Sequence, residues 1–173
     1  GGRTENSGQV WKYQLPYLKS VIDYDQNSKK YRWTNKFTSG EMEKAFSDLG
    51  EVYSIQIIDK SNTGRVLKIR LHGNHGNKII SGKNLRERLQ LLSTKFELVL
   101  KFNQINLDYK PVDDFEPKPL PPIPTDYFLL VKGFGAGHGV GMSQWGAKAM
   151  AESGAGFRQI LKHYYTGVEI KKY

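Results

Sequence analysis

The sequence predicts a single α+β domain with a mixed or antiparallel sheet and several short helices. Three observations support this class. Apolar residues alternate with polar ones in several short segments, which is typical of strands with one exposed face. In other segments the apolar residues recur at helical intervals. The chain has 173 residues, of which 38% are hydrophobic, and this is enough material for one packed core but little for two.

The first 50 residues divide into two parts. Residues 1–37 are polar with scattered aromatic side chains and no sustained period, so we expect irregular structure wrapped on the core. Thr38 stands three residues before Glu41, which is the spacing of a capping box. Apolar residues then recur at helical intervals as far as Gly50. A helix is therefore expected over about residues 39–49.

A β-hairpin follows, because residues 53–57 and 67–71 alternate in polarity on either side of the turn signal at residues 62–64. A second turn over residues 73–77 leads to a short third strand at residues 78–80. One face of this hairpin is expected to contact solvent.

Leu85, Leu89 and Leu92 share a helical face, and residues 96–102 alternate again as a strand. The chain therefore mixes helical and strand patterns, and this mixture points to the α+β class.

Residues 111–124 hold six of the seven prolines, so we expect an extended connector that crosses the surface of the single domain. An apolar strand is expected at residues 127–131. The glycine-rich motif of residues 133–146 comes next. Two helices, over about residues 143–152 and 157–165, are expected to complete the domain.

Composition excludes several functional classes. The chain is basic, with 26 Lys and Arg against 17 Asp and Glu and a formal net charge of +9, which favours attraction to an anionic polymer. No apolar run approaches the roughly 18 residues that cross a bilayer as a helix. The chain has no cysteine, so it has no disulfide, no thiolate metal site and no cysteine nucleophile.

The glycine-rich motif matches none of the common nucleotide or hydrolase motifs. Five glycines alternate from Gly133 to Gly141, which suits a backbone with positive φ or a close approach by another group. The dinucleotide fingerprint needs a third glycine three residues after the second, and a P-loop needs Gly-Lys-Ser/Thr, and neither is present. Ser143 is not in a Gly-x-Ser-x-Gly elbow, so we interpret it as the N-cap of the next helix.

Three side chains of the motif are candidates for ligand contact. His138 is the titratable group of the glycine run, and its neighbours without side chains leave the imidazole accessible to a ligand. Gln144 can donate and accept hydrogen bonds to a sugar or an amide. Trp145 either stacks on a sugar face or packs in the core. His72 and His75 have no evident third ligand nearby, so no metal site is expected there.

Residues 137–147, GHGVGMSQWGA, and residues 163–167, HYYTG, resemble the SpoIID/LytB family. The likeness runs through nearly the whole chain. Further similar positions are GRTEN at residues 2–6, Trp11, Pro16-Tyr17-Leu18, Ser81-Gly82, Leu85-Arg86, Ser93-Thr94 and Phe96.

The resemblance implies action on peptidoglycan, since some members are lytic transglycosylases that cut glycan strands and others assist a cell-wall amidase. Lytic transglycosylation needs one carboxyl group with a raised pKa, which protonates the glycosidic oxygen and then deprotonates the 6-hydroxyl of the same sugar. The second carboxylate of hydrolytic glycosidases is not required.

The catalytic Glu of the family precedes the GRTEN element, near which this sequence begins. We therefore expect the proton donor to lie outside these 173 residues, in a longer precursor exported to the cell envelope or the exterior by an upstream signal. Glu5 remains open as a structural or a catalytic residue.

The sequence-based hypothesis is a peptidoglycan-acting protein that cleaves or binds glycan strands, with a cell-wall amidase as a second partner and with no metal or cofactor. The first alternative is a non-catalytic binding or amidase-enhancing module. The second is a basic nucleic-acid-binding domain, which we rank last because no basic-aromatic motif of the usual modules is present. The predicted site consists of His138 and Gln144 in supporting catalytic roles, and of Gly137, Gly139, Ser143, Trp145, Thr4 and Glu5 in glycan binding.

Overall fold

The computed structural model describes residues 1–102 and 126–171. The predicted proline-rich connector, residues 111–124, lies outside the described residues. The described elements, in chain order, are α1 (Ser7–Val10), β1 (Arg32–Thr38), α2 (Ser39–Ala45), β2 (Val52–Lys60), β3 (Val66–Gly73), β4 (Gly76–Ser81), α3 (Gly82–Arg88), β5 (Phe96–Phe102), β6 (Tyr127–Phe134), α4 (Gln144–Glu152) and α5 (Phe157–Tyr164).

The predicted α+β class is confirmed, and the strands form two antiparallel sheets. The first sheet has the order β1-β6-β5 and the second the order β2-β3-β4. The second sheet contains the predicted hairpin, in which Ile57 pairs with Ile69, and the short third strand. In the first sheet β6 is central, and the glycine-rich segment begins at its end.

One core lies between the two sheets and the helices α2 and α3. Its members come from every one of these layers, so the sheets are joined by side-chain packing rather than by strand pairing. Burial of each large apolar side chain contributes about 1.5–3 kcal/mol to folding. The core includes Met42, Phe46, Val52, Ile69, Leu71, Leu85, Phe96, Leu129 and Val131.

Two features differ from the sequence-based expectation. Helix α2 has the predicted capping box between Thr38 and Glu41, but it ends at Ala45. Residues 1–37 are not wholly irregular, because they contain the short helix α1 and the start of β1. β1 pairs along its whole length with β6, and this pairing defines the strand where the sequence shows no apolar alternation.

The C-terminal helices pack against the N-terminal segment, and this contact shapes the site described below. The hydroxyl of Tyr164 donates to Oδ1 of Asp23 over 2.8 Å, and both groups are buried. Nε2 of His163 lies 2.7 Å from the carbonyl oxygen of Ile22. Among the described residues, none of the helices has the length and apolar character that crossing a membrane requires.

Candidate functional site

The site is built on the glycine-rich loop, which we define as residues 135–142 between β6 and α4. The φ angles of Gly135, Gly137, Gly139 and Gly141 are +66°, +81°, +76° and +75°. Residues with a Cβ rarely adopt this left-handed region, so the loop conformation requires glycine at these four positions. As a result, one surface of the loop is bare backbone.

Backbone hydrogen bonds hold the loop against three distant parts of the chain. The N–H of Gly137 donates to the carbonyl of Leu92 over 2.8 Å, and the N–H of Glu5 donates to the carbonyl of Gly139 over the same distance. The indole N–H of Trp33 donates to the carbonyl of Gly135 over 2.9 Å. Because the loop is tied on one side, its other side is free to contact a ligand.

Arg65 packs against the backbone of the loop. This side chain is buried, and a Cβ added to Gly139 would lie only 1.9 Å from its Nη2. Nη1 of Arg65 lies 3.5 Å from both the carbonyl oxygen of Gly137 and Oγ1 of Thr94. The guanidinium therefore lies directly against the backbone that forms the loop.

A buried carboxylate balances this cation. Glu5 is fully buried, and its Oε2 accepts hydrogen bonds from the hydroxyls of Ser61, at 2.5 Å, and Thr63. Burial lowers the pKa of Arg65, and the charge of Glu5 acts in the opposite direction. A buried charge is expensive unless it is paired and hydrogen-bonded, so these groups form a supporting network beneath the loop.

Above the loop lies an open groove of about 490 Å³. Its floor is the glycine-rich loop, and its rim carries charges of both signs. The lining residues outside the loop include Arg3, Thr4, Asp23, Asp25, Lys29, Lys30, Arg65, Ser143, Gln144 and Trp145. A groove of this volume is within the range of small-molecule and oligosaccharide sites.

His138 lies on the floor of the groove and is exposed. Its Nδ1 accepts the N–H of Val140 over 2.9 Å, so the neutral ring carries its proton on Nε2. Partial burial of the ring lowers the pKa of His138, and the charges of Arg65 and Arg86 lower it further. The imidazole is therefore held neutral and can donate one hydrogen bond into the groove.

One tryptophan lies beside this imidazole and a second lines the groove. The ring of Trp11 has its centroid 5.3 Å from that of His138, at an interplanar angle of 55°. Trp145 lines the groove on the first turn of α4 and is 39% exposed, so it is available for stacking. Aromatic faces beside hydrogen-bonding groups are suited to sugars, which combine apolar C–H faces with hydroxyls.

The start of α4 forms one wall of the groove. Ser143 is the N-cap, as predicted, and its hydroxyl accepts the N–H of Gly146 over 3.0 Å. Gln144 follows it and is exposed in the groove. The structure thus brings His138, Gln144 and Trp145 together with the predicted glycines.

Thr4 and Glu5 occupy different places from this group. Thr4 borders the groove but is buried, and its Oγ1 accepts the N–H of Val21 over 2.8 Å. Glu5 lies beneath the floor, in the network with Ser61 and Thr63. Their contacts fix the N-terminal segment under and beside the loop.

Sequence reasoning did not identify two carboxylates of the groove, Asp23 and Asp25. One residue separates them in the sequence, and both line the groove. Burial raises the pKa of Asp23 and the charge of Asp25 adds to this, whereas the hydrogen bond from Tyr164 acts in the opposite direction. The alternation Asp-Tyr-Asp was the available signal, but it does not say which surface the carboxylates face.

Arg65 is one of the 26 Lys and Arg residues of the basic sequence. No local pattern distinguishes it, because its role depends on the placement of the loop over it. Across residues 1–102 and 126–171, no group of three or more His, Asp or Glu side chains is placed to hold a metal ion.

The chain was compared with known proteins. No family model matches it. It is 32% identical to the stage II sporulation protein D of Bacillus amyloliquefaciens, over 99% of this chain and 42% of that protein. It is also 32% identical to the stage II sporulation protein D of Bacillus subtilis, over 99% of this chain and 43% of that protein. The amidase enhancer of Bacillus subtilis is 27% identical, over the whole chain and 29% of that protein.

These similarities extend along the whole chain, and the names of the relatives associate them with sporulation and with the enhancement of an amidase. The chain spans about two fifths of the length of the sporulation proteins that it matches.

Proposed function

The chain is a homologue of the SpoIID/LytB family, and on this premise we propose that its groove binds the glycan strands of peptidoglycan. The observation that carries the proposal is the position of the glycine-rich loop, which forms the floor of an open groove of about 490 Å³. The loop belongs to the motif on which the resemblance to the family rests. A bare backbone floor allows a sugar ring to approach closely.

The side chains around the floor supply the interactions that a glycan strand needs. Trp145 offers an exposed ring for the apolar face of a sugar. Gln144 and the neutral ring of His138 offer hydrogen bonds to hydroxyl and acetamido groups. Lys29 and Lys30 on the rim offer positive charge to the carboxylates of peptidoglycan.

We also propose lytic transglycosylation as the reaction that cleaves the bound strand. A carboxylic acid protonates the glycosidic oxygen while the bond from that oxygen to C1 breaks. The 6-hydroxyl of the same sugar then forms a bond to C1, and its proton returns to the carboxylate, so no water is consumed. The resemblance assigns the acid to a Glu outside these 173 residues, and the groove holds the strand.

Asp23 has a supporting role in this scheme. Its carboxylate is buried and accepts a hydrogen bond from the hydroxyl of Tyr164, and it therefore holds the end of α5 against the segment that lines the groove. The protein would act in the cell envelope or outside the cell, where peptidoglycan lies. Fractionation of cells that express the full-length protein tests this location.

Binding is tested by co-sedimentation of the chain with purified peptidoglycan from which the stem peptides have been removed. Trp145→Ala is expected to weaken binding about three- to tenfold, because a stacking ring contributes about 0.5–1.5 kcal/mol beyond its buried area. Tyr53→Ala is the matched control, since Tyr53 is similarly exposed on the other sheet. No binding by the folded chain, or equal binding by the Trp145 variant, would contradict the proposal.

A second candidate function is the stimulation of a cell-wall amidase, and it is supported by the similarity to the amidase enhancer over the whole chain. The chain is added to a cell-wall amidase acting on intact peptidoglycan, and the release of stem peptides is measured. Faster release of stem peptides would favour this function over glycan cleavage, provided that the full-length protein also forms no anhydro-sugar products from peptidoglycan.

A further inference from the structure

A second recess, of about 460 Å³, lies beside α4 and outside the groove. One of its walls consists of Tyr24, Gln26 and Asn27. The other includes Ala149 and Met150 on α4, and Ser153 at the end of that helix. Neither the sequence analysis nor the proposed function assigns a role to these residues.

The same two segments of the chain form the recess and the groove. On the extended segment, Asp23 and Asp25 face the groove while Tyr24 between them faces the recess. On α4, Trp145 lines the groove and Ala149 lines the recess four residues later. Four residues of helix rise by about 6 Å, so the groove and the recess are lined by successive turns of α4.

The chemistry of the recess differs from that of the groove. The groove is lined by basic and acidic side chains, whereas none of the described residues that line the recess is charged. Gln26 and Asn27 provide carboxamides that both donate and accept hydrogen bonds. Ala149 and Met150 provide an apolar surface on the α4 side of the recess. An ionic ligand would find no counter-charge among these groups.

Tyr24 provides a preorganised aromatic face. It is 41% exposed, and its ring centroid lies 5.7 Å from that of His163. His163 is itself held by the contact of its Nε2 with the carbonyl of Ile22. Because the ring is already oriented, less side-chain entropy is lost when a sugar stacks on it.

We propose that this recess is a subsite for a neutral 2-acetamido sugar, next to the unit bound in the groove. The sugar ring stacks on Tyr24, its acetamido group bonds to Gln26 and Asn27, and the acetamido methyl contacts Ala149 and Met150. This proposal rests on the proposed function, since the subsite extends the same glycan-binding surface.

The test is calorimetric titration of the chain with N-acetylglucosamine oligomers of increasing length. For the wild type, affinity is expected to rise once the oligomer is long enough to occupy both sites. Tyr24→Ala is expected to remove that increase, weakening the longest oligomer about three- to tenfold while leaving the shortest unchanged. Tyr53→Ala is the control, because Tyr53 is 44% exposed and also lies beside a histidine ring, that of His72.

A double variant, tested with two kinds of oligomer, shows whether the recess recognises the acetamido group. A double variant, Gln26→Ala with Asn27→Ala, changes two exposed side chains and should weaken N-acetylated oligomers but not glucose oligomers of the same length. The proposal is wrong if Tyr24→Ala binds the longest oligomer like the wild type, or if it weakens all lengths equally. If Trp145→Ala weakens binding and the recess variants do not, only the subsite is rejected. If the wild type binds no oligomer, the proposed function is rejected as well.

Discussion

Replacing Gly139 by Ala tests whether the glycine-rich loop is held against Arg65. The backbone at Gly139 has φ +76°, and forcing a residue with a Cβ into this region costs roughly 1–2 kcal/mol. The added Cβ would also lie 1.9 Å from Nη2 and 2.5 Å from Cζ of Arg65, well inside ordinary contact. Overpacking of this kind costs about 1–3 kcal/mol, so the total loss of stability is about 2–5 kcal/mol.

Gly137→Ala is the matched control. Gly137 has φ +81°, but nothing lies within 4 Å of the position of its Cβ. This variant should lose only the backbone contribution of roughly 1–2 kcal/mol. The difference between the two variants therefore isolates the contact with Arg65, at about 1–3 kcal/mol.

Thermal and urea unfolding, followed by circular dichroism, measure this difference. For a chain of this length, each kcal/mol lowers Tm by about 2–4 °C, so Gly139→Ala should melt about 2–12 °C below Gly137→Ala. Equal melting temperatures would show that Arg65 has room to move and that it does not support the loop.

Three other predictions concern the buried carboxylate of Glu5, the packing of Gly146 on α4 and the imidazole ring of His138. Glu5→Gln should lower the free energy of unfolding by about 1–3 kcal/mol in urea titrations, because a neutral carboxamide with one acceptor oxygen replaces a carboxylate that accepts from Ser61 and Thr63 on one oxygen and from the N–H of Asn6 on the other. An unchanged midpoint would contradict this. Gly146→Ala should lower Tm, because the added Cβ would lie 2.0 Å from Oδ1 of Asp23. In a helix Ala is otherwise more favourable than Gly by about 1 kcal/mol, so a raised Tm would refute the packing argument. The lowered pKa of His138 means that the unfolded chain binds the proton more tightly, so stability should fall as the pH drops below about 6.5. His138→Gln, compared with the wild type at about pH 7.5 and about pH 5, should flatten this loss, and an equal loss in both proteins would show that protonation of His138 does not cause it.

Helix α2 shows how far apolar periodicity predicts structure. The capping box at Thr38 is a local signal, and the helix begins there as predicted. The apolar spacing continues through Phe46 and Leu49, which are both buried, although the helix ends at Ala45. Periodicity reports which residues face the core, and a turn can bury residues at the same spacing as a helix.

Strand β1 was not predicted, because its sequence lacks a continuous apolar alternation. Its inward positions are Trp33, Asn35 and Phe37, so a polar residue at the centre interrupts the apolar alternation. The strand forms because every residue pairs with β6, where Asn35 lies opposite Val131. Pairing between segments almost 100 residues apart leaves no local signal in the sequence.

Some features of the candidate site could be predicted from the local sequence, and others depend on how distant segments pack. The left-handed glycines, the N-cap Ser143 and the accessible ring of His138 follow from local chemistry, and all were predicted. The positions of Asp23 and Arg65 depend on packing between distant segments. Neither stands in a motif, so their part in the groove becomes visible only in the folded chain.

The buried charges of Glu5 and Arg65 are connected with the absence of side chains on the floor of the groove. A loop of alternating glycines has few side chains to bury in the core, so apolar packing alone cannot hold it in place. The chain instead attaches the loop through the backbone of Glu5 and the guanidinium of Arg65. Their charges can be buried because Ser61 and Thr63 donate hydrogen bonds to the carboxylate. These buried polar and charged contacts therefore hold the glycine-rich loop in place. The other surface of the loop remains free of side chains, so a ligand can contact its backbone directly.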